Sequence, residues 1–413
     1  MSKKQILTFS RMKTFRGCPR KEWYRYEAGL RPAGPEAAPL MFGTLWHDCL
    51  AEFYEAMKAS QALCESGEGS SYTYDSNFAK SVLMGAGNAV EHERKKLGLP
   101  QINVIESWLF EKYNEKSDIV VDGGEYGTHF YSMSDEKKEK IDGMAAMARS
   151  MFSRYIDTYW NLDYSNWEIV CIEKTMITPL RTQNNTASSK WDFSGVPDLI
   201  VKLRATGKYY VVEHKSTVDV EKMLDQCRFD QQGVGYCWLI SEVGMCEPSD
   251  IGGVVYRATR KKIPSDPKIV KSGAVSASAC DTTPSKYLKA LELAETDGHE
   301  RTAKHSAILK ALKARHPQKW LDQIIVPVDE RALDSWRDGT YITSVAKNAA
   351  QSYGEVGHWK VGSTAGCFSY NRMCPYLPLC EQNEPALDIL RDDFMLRELY
   401  EIKAAHEELQ LPG

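Results

Sequence analysis

Three residues in the middle of the chain have the types and spacing for phosphodiester chemistry. Asp198 closes the run Gly195-Val196-Pro197-Asp198, and fourteen residues separate it from Glu213, which stands two positions before Lys215 in Val212-Glu213-His214-Lys215. A strand points successive side chains to opposite faces, so Glu213 and Lys215 share one face. Two carboxylates held together make a hard-oxygen site suited to Mg2+ or Mn2+. Such a metal lowers the pKa of a bound water and polarises the phosphodiester. A neighbouring lysine can orient the attacking water and stabilise negative charge on phosphate. An ordinary strand pair on a solvated face would also read Glu-x-Lys, so the chemistry requires Asp198 to lie alongside it.

Other residues fit around that trio. Gly43 and His47 stand four apart on an expected helix and so share a face. Gly43 permits close backbone approach, and His47 can offer an imidazole to the metal; the alternative is a satisfied core histidine. Gln232 and Tyr236 have the same spacing on the helix after the catalytic strand. They can hold a phosphate or shape the lysine's surroundings, or else be surface polarity and a core tyrosine. Glu173, in the first expected strand, is a further candidate carboxylate.

A second constellation is made of thiols. Cys367, Cys374 and Cys380 are spaced C-x6-C-x5-C, and Cys18 lies at the other end of the chain in Arg16-Gly17-Cys18-Pro19-Arg20-Lys21. Thiolates select iron–sulfur clusters or zinc. Zinc knuckles usually show paired CxxC halves, which this chain lacks, so a [4Fe-4S] cluster is the first reading and zinc the second. A cluster on these four would tie the N-terminal segment to the C-terminal one and close a very long loop. The other seven of the 11 cysteines are scattered and read as small core hydrophobes.

The elements that must position these groups follow from hydrophobic period and turn residues. Residues 8–30 read as two short helices broken near Gly17-Cys18-Pro19, with Ser10 as first cap. Residues 40–59 read as an amphipathic helix, 64–76 as a polar loop, and 77–160 as largely helical. Strand periods then appear at 167–180, 193–204, 209–217, 252–259 and 324–328, with 181–190 as a loop and 205–208 as a tight turn. Helices are expected over 219–243, 286–295, 299–315, 329–353 and 384–410, and 260–285 reads as a loop. The local order strand, strand, strand, helix, strand predicts an α/β fold, a mixed sheet flanked by helices.

Composition narrows the class. With 43% hydrophobic and 26% charged residues among 413, the chain reads as globular. No run of eighteen apolar residues suggests a membrane span, and no apolar leader suggests secretion. An odd cysteine count without a leader points to reduced thiols and a cytoplasmic setting. Net charge is −4, so composition does not advertise a nucleic-acid partner. Between Arg11 and Arg25, however, six basic residues alternate with Phe15, Trp23 and Tyr24; such a stretch suits a nucleic-acid strand or a solvated amphipathic helix.

The order of these motifs resembles RecB-like PD-(D/E)XK nucleases, including AddB and the CRISPR-associated RecB-type exonucleases. The resemblance runs from an N-terminal Cys-Pro-Arg-Lys through Gly43-x-x-x-His47, Asp198, Glu213-x-Lys215 and Gln232-x-x-x-Tyr236 to the C-terminal cysteine trio. The trio's spacing is closer to stand-alone phage and plasmid versions than to AddB. The resemblance implies a restriction-endonuclease-like mixed sheet with helical insertions and an iron–sulfur-clamped N/C-terminal subdomain. It implies a DNA exonuclease with Asp198, Glu213 and His47 on Mg2+ or Mn2+, and Cys18, Cys367, Cys374 and Cys380 on [4Fe-4S]. It also implies DNA as substrate and leaves room for a helicase or recombination partner, since no GxxxxGK[ST] loop is present. The expected division is 1–60 (first cysteine and histidine helix), 61–165 (helical insertion), 166–260 (nuclease core), 261–353 (insertion and supporting helices) and 354–413 (cysteine segment and tail). A catalytically inactive DNA-binding scaffold derived from the same fold is the competing reading.

Overall fold

The structure, a computed structural model, describes residues 4–32, 38–65, 135–278, 280–315, 318–361, 367–369, 372–381 and 394–396. In chain order the strands that matter are β1 (Gln5–Thr8), β2 (Leu30–Pro32), β3 (Trp167–Ile172), β4 (Met176–Arg181), β5 (Ala187–Gly195), β6 (Leu199–Leu203), β7 (Tyr209–Thr217), β8 (Ile251–Arg260), β9 (Leu321–Pro327), β10 (Phe368–Ser369), β11 (Arg372–Met373) and β12 (Phe394–Leu396). The helices are α1 (Phe9–Gly17), α2 (Pro19–Glu22), α3 (Ala38–Glu65), α4 (Asp135–Asn166), α5 (Val220–Cys227), α6 (Gln231–Glu242), α7 (Pro284–Thr296), α8 (Ala303–Arg315), α9 (Glu330–Ser352), α10 (Gly354–Gly357) and α11 (Leu377–Glu381).

Five strands form the main sheet in the order β3-β6-β7-β8-β9. Only β7 and β8 run parallel; the other neighbours are antiparallel. A parallel pair needs a crossover, and α5 and α6 supply it. Both faces of the sheet are covered, which is why its central strands are apolar at nearly every position. On one face Val201, Val212 and Val255 pack under Trp46, Phe53 and Tyr155 of α3 and α4. On the other, Val211, Val254 and Tyr256 pack under Trp238, Leu239 and Trp336 of α6 and α9. Gly253 has φ 138°, and a Cβ there would meet the Val326 carbonyl at 2.2 Å, so only glycine lets β9 approach β8. A second sheet, β1-β5-β4, sits beside the first.

Several sequence expectations are corrected. The expected single strand 167–180 is two, because Glu173 turns the chain at φ 42° and sends β3 and β4 to different sheets. The expected strand 193–204 also splits: β5 ends at Gly195, and Pro197, which has no N–H to give a ladder, separates it from β6. The expected helix 219–243 breaks at residues 228–230, where Asp230 caps α6 by accepting from the Gln232 N–H at 3.0 Å. Residues 187–190 belong to β5 rather than to a loop. Thr8, not Ser10, caps α1, β1 precedes it, and residues 23–27 form a π-helical turn. In the expected tail helix 384–410, residues 394–396 form β12, antiparallel to β2, and its remaining residues lie outside the described ones. The expected loop 64–76 lies outside them apart from its first two residues, which end α3, and so does the 77–134 part of the helical insertion.

The basic–aromatic N-terminal stretch turns Arg11 inward and leaves Lys13, Arg16 and Arg25 exposed. Arg11 Nε and NH2 donate to Glu22 and Glu27 at 2.7 and 2.5 Å, and Lys347 Nζ of α9 donates to the same two carboxylates at 2.7 Å each. Trp191 of β5 lies between Arg11 and Lys347, with their cations 5.5 and 5.6 Å from its ring. Arg16 donates to Thr343 and to the Gly339 carbonyl. These cations are spent on fastening the N-terminal segment to α9.

Candidate active site

The site forms where the sheet's strands leave a gap between the two helical layers. In α3 the apolar residues Leu45, Trp46, Cys49, Leu50 and Phe53 face the core, and His47 is left at the flank with a third of its side chain exposed. Glu173 follows β3, and its backbone N–H donates to the Asp198 carbonyl at 3.1 Å, which fixes the two residues side by side. Asp198 sits between Pro197 and β6, and its Oδ2 accepts from the His214 backbone N–H at 2.7 Å. From opposite sides His47 Nδ1 approaches Asp198 Oδ1 at 3.3 Å and Glu173 Oε1 at 3.6 Å. One ligand atom from each of His47, Glu173 and Asp198 lies within 4.8 Å of the others, a spacing one cation can bridge.

Glu213, expected on the metal with Asp198 and His47, is not one of the three groups that gather within 4.8 Å; on β7 it pairs with Lys215. Lys215 Nζ donates to Glu213 Oε2 at 2.9 Å. Glu213 is 1% exposed, and its Oε1 is buried without a hydrogen-bond partner. An orphaned carboxylate oxygen in the interior is costly; here it marks a place for a cation. Burial raises the Glu213 carboxyl above its usual range and the Asp198 charge raises it further, against the pull of Lys215. Burial disfavours the Lys215 ammonium, but Glu213 and Asp198 outweigh it and hold the lysine charged. Burial likewise pulls His47 down, while Asp198 and Glu173 hold it protonated up to about 10.

Gln232 and Tyr236 flank this group on α6. Gln232 Nε2 donates to the Tyr236 hydroxyl at 2.9 Å. A Cβ at Gly195 would lie 2.5 Å from the Tyr236 ring, so glycine there lets the tyrosine lie against the end of β5. Burial and the Glu213 charge keep its phenol protonated.

The opposite face of β7 carries a network that the sequence did not reveal. His214, 2% exposed, meets the Tyr155 hydroxyl through Nε2 at 2.9 Å. Tyr155 meets Tyr54 at 2.7 Å, and Tyr54 donates to Asp163 at 2.8 Å. Arg257 of β8 forks onto both Asp163 oxygens at 2.6 Å each and donates through Nε to Gln323 at 2.9 Å. The one available signal was an arginine next to an apolar run, Gly253-Val254-Val255-Tyr256-Arg257-Ala258.

The two chain ends also meet, with Cys374 and Cys380 packed against Tyr24 and Leu30. Cys18 links α1 to α2, and the charges of Cys18 and Cys374 act on the Cys380 thiol, which burial raises. The β10–β11 hairpin brings Cys367 and Cys374 together, with the Cys374 N–H donating to the Cys367 carbonyl at 2.6 Å. Tyr24 and Tyr376 stack at 5.7 Å, Tyr24 donates to the Leu379 carbonyl at 3.1 Å, and Tyr376 donates to the Leu30 carbonyl at 2.9 Å. Of the scattered cysteines, Cys49, Cys227 and Cys237 are buried, and Cys171, Cys246 and Cys280 are half-buried.

No helix among the described residues is long and apolar enough to cross a membrane. No curated protein matches the chain. Residues 6–381 match the family described as the PD-(D/E)XK nuclease superfamily.

Proposed function

Because the chain belongs to the PD-(D/E)XK nuclease superfamily, we propose that it is a Mg2+- or Mn2+-dependent DNA exonuclease of the RecB-like type. It hydrolyses phosphodiesters at DNA ends or on single strands, in recombination, repair or the processing of phage or plasmid DNA. The observation that carries this reading is the approach of His47, Glu173 and Asp198 to within 4.8 Å beside the Glu213–Lys215 pair. Their donor set, carboxylate oxygens with one imidazole nitrogen, suits a hard divalent cation.

Asp198, Glu213 and His47 hold the ion, and Glu173 can add a further oxygen. When bound, the ion supplies an activated water and a polarised scissile phosphate. Lys215, kept charged by its carboxylate neighbours, orients the attacking water and takes up negative charge developing on the phosphate. Gln232 and Tyr236 offer an amide and a protonated phenol to the substrate phosphate. A helicase or recombination partner would supply unwound ends. Digestion of end-labelled single-stranded and duplex DNA tests this: cleavage with Mg2+ or Mn2+ and none with a chelator is expected, and metal-independent or absent cleavage contradicts it.

Cys18, Cys367, Cys374 and Cys380 hold a [4Fe-4S] cluster that fastens the chain ends. The packing of Cys374 and Cys380 against Tyr24 and Leu30 of the N-terminal segment supports this set. Protein purified without air is then brown and contains iron and sulfide; a colourless preparation with stoichiometric zinc assigns the site to zinc instead.

A further inference from the structure

Beyond the metal site, at the end of β8, three cations converge on one carboxylate. Arg260 NH1, Lys262 Nζ and Lys319 Nζ lie 2.9, 2.6 and 2.6 Å from the Asp281 oxygens. The Asp281 backbone carbonyl accepts from the Ser265 N–H at 2.9 Å, so the segment after β8 folds back to deliver this side chain. The charge balance differs from that of the N-terminal clamp, where Arg11 and Lys347 meet two carboxylates, Glu22 and Glu27, and Lys347 and Glu22 are wholly buried. At the end of β8 three cations share a single carboxylate, and Lys262 and Lys319 keep 43% and 35% of their side chains exposed. Arg154 adds another cation: its guanidinium and that of Arg260 lie 5.1 and 4.9 Å from the Trp320 ring. Burial and the charge of Arg260 depress Arg154 to about 10, the electrostatic cost of gathering like charges. In a chain of net charge −4, such a local surplus of positive charge suits an anion that arrives from outside.

The position of the cradle indicates which anion. Along the parallel β7–β8 pair, Glu213 faces Tyr256, Lys215 faces Ala258 and Thr217 faces Arg260. At about 3.3 Å per residue, Arg260 lies roughly 13 Å beyond Glu213 along the strands, a distance of a few nucleotides of one DNA strand. Arg260 Nε donates to the Val218 carbonyl at 3.2 Å, and the guanidinium lies over the Trp320 ring, which further fixes its fork. A fixed fork flanked by two lysine ammoniums matches the oxygens of a phosphate.

We propose that Arg260, Lys262 and Lys319 form a phosphate-binding subsite for the DNA strand whose scissile bond lies at the metal site, with the Asp281 carboxylate filling it until the strand arrives. This rests on the nuclease reading above. The strand's phosphate exchanges with Asp281 for the same three donors, so the aspartate competes with substrate and excludes weaker anions.

The test is binding of a fluorescently labelled single-stranded oligodeoxynucleotide to the full-length protein with chelator present, so that no cleavage intervenes. Asp281→Asn keeps an acceptor but removes the competing charge, and is expected to tighten binding several-fold. The double variant Lys262→Gln/Lys319→Gln is expected to weaken binding several-fold and to lower the salt slope by about two. Both lysines are solvent-accessible, so this variant keeps the test usable if Asp281→Asn is poorly folded; thermal unfolding checks both. Wild-type affinity and salt slope in the folded double variant overturn the subsite and leave a purely structural ion-pair cluster. If that protein still digests DNA with metal, the nuclease reading survives the failure of the subsite. A wild-type protein that neither binds nor cleaves DNA ends both.

Discussion

The two faces of β7 carry adjacent buried polar clusters built on opposite principles. On the His214 face, Asp163 and Arg257 are both 0% exposed and neutralise one another, and each Asp163 oxygen is bonded. On the other side His47, Glu173 and Asp198 gather within 4.8 Å, the Glu213–Lys215 pair stands on β7, and a buried Glu213 oxygen has no partner. The first cluster is complete as folded. The second is short of positive charge, a condition a divalent cation relieves. Within one sheet a balanced polar cluster fixes geometry, whereas an unbalanced one is a candidate for chemistry.

The largest expected effect lies on the balanced face. Arg257→Met strands the Asp163 carboxylate in the interior and is expected to cost about 3–5 kcal/mol of stability, read as a large fall in thermal midpoint with or without metal. An unchanged midpoint would show that the cluster is not a stability element. On the unbalanced face Lys215→Ala acts on chemistry: cleavage falls by at least about a hundredfold while oligonucleotide binding stays close to wild type, and the loss of Glu213's partner also lowers the thermal midpoint of the metal-free protein. Full activity in that variant would remove Lys215 from the mechanism.

Glu213→Gln sharpens the contrast through pH. The folded-state pKa of Glu213 lies above its unfolded value, so in the metal-free protein its ionisation opposes folding as pH rises through and above the ordinary carboxylate range. The glutamine variant should therefore lose less stability with rising pH than wild type, and Mn2+ should stabilise wild type but not the variant. Parallel pH–stability curves would contradict the assignment of an unbalanced charge. The smallest effect is expected for Tyr155→Phe, which removes the hydroxyl bonded to His214, Tyr54 and Arg257. It should cost about 1–3 kcal/mol with metal affinity reduced only modestly; loss of metal binding would mean that the two faces are energetically coupled.

The candidate trio could be singled out because its signal is local. Glu213 and Lys215 lie two apart in an apolar strand, and Asp198 follows a Gly-x-Pro turn. The same Pro197 that places Asp198 also split the expected strand 193–204, since alternation continues on both sides of it and does not reveal a change of sheet. Glu173 was readable as a carboxylate but not as a turn, because a positive φ at a non-glycine residue leaves no compositional trace. Of the Arg257 network only the arginine itself stood out: Tyr54, Tyr155 and Asp163 reach it from 203, 102 and 94 residues away, and only folding brings them together. Likewise the basic run from Arg11 suggested an outward face, yet Arg11 pairs inward with Glu22 and Glu27, a consequence of α9 docking that no local period records.

The central claim is that these side chains share one catalytic cation, and calorimetric titration of Mn2+ into the full-length protein tests it most directly. One ion per chain is expected at the site, with a proton released because His47 must give up the proton it holds up to about 10, and with loss of that binding in Asp198→Asn and in Glu213→Gln. Mn2+ binding that is absent from the wild-type protein, or that persists undiminished in both variants, would contradict it.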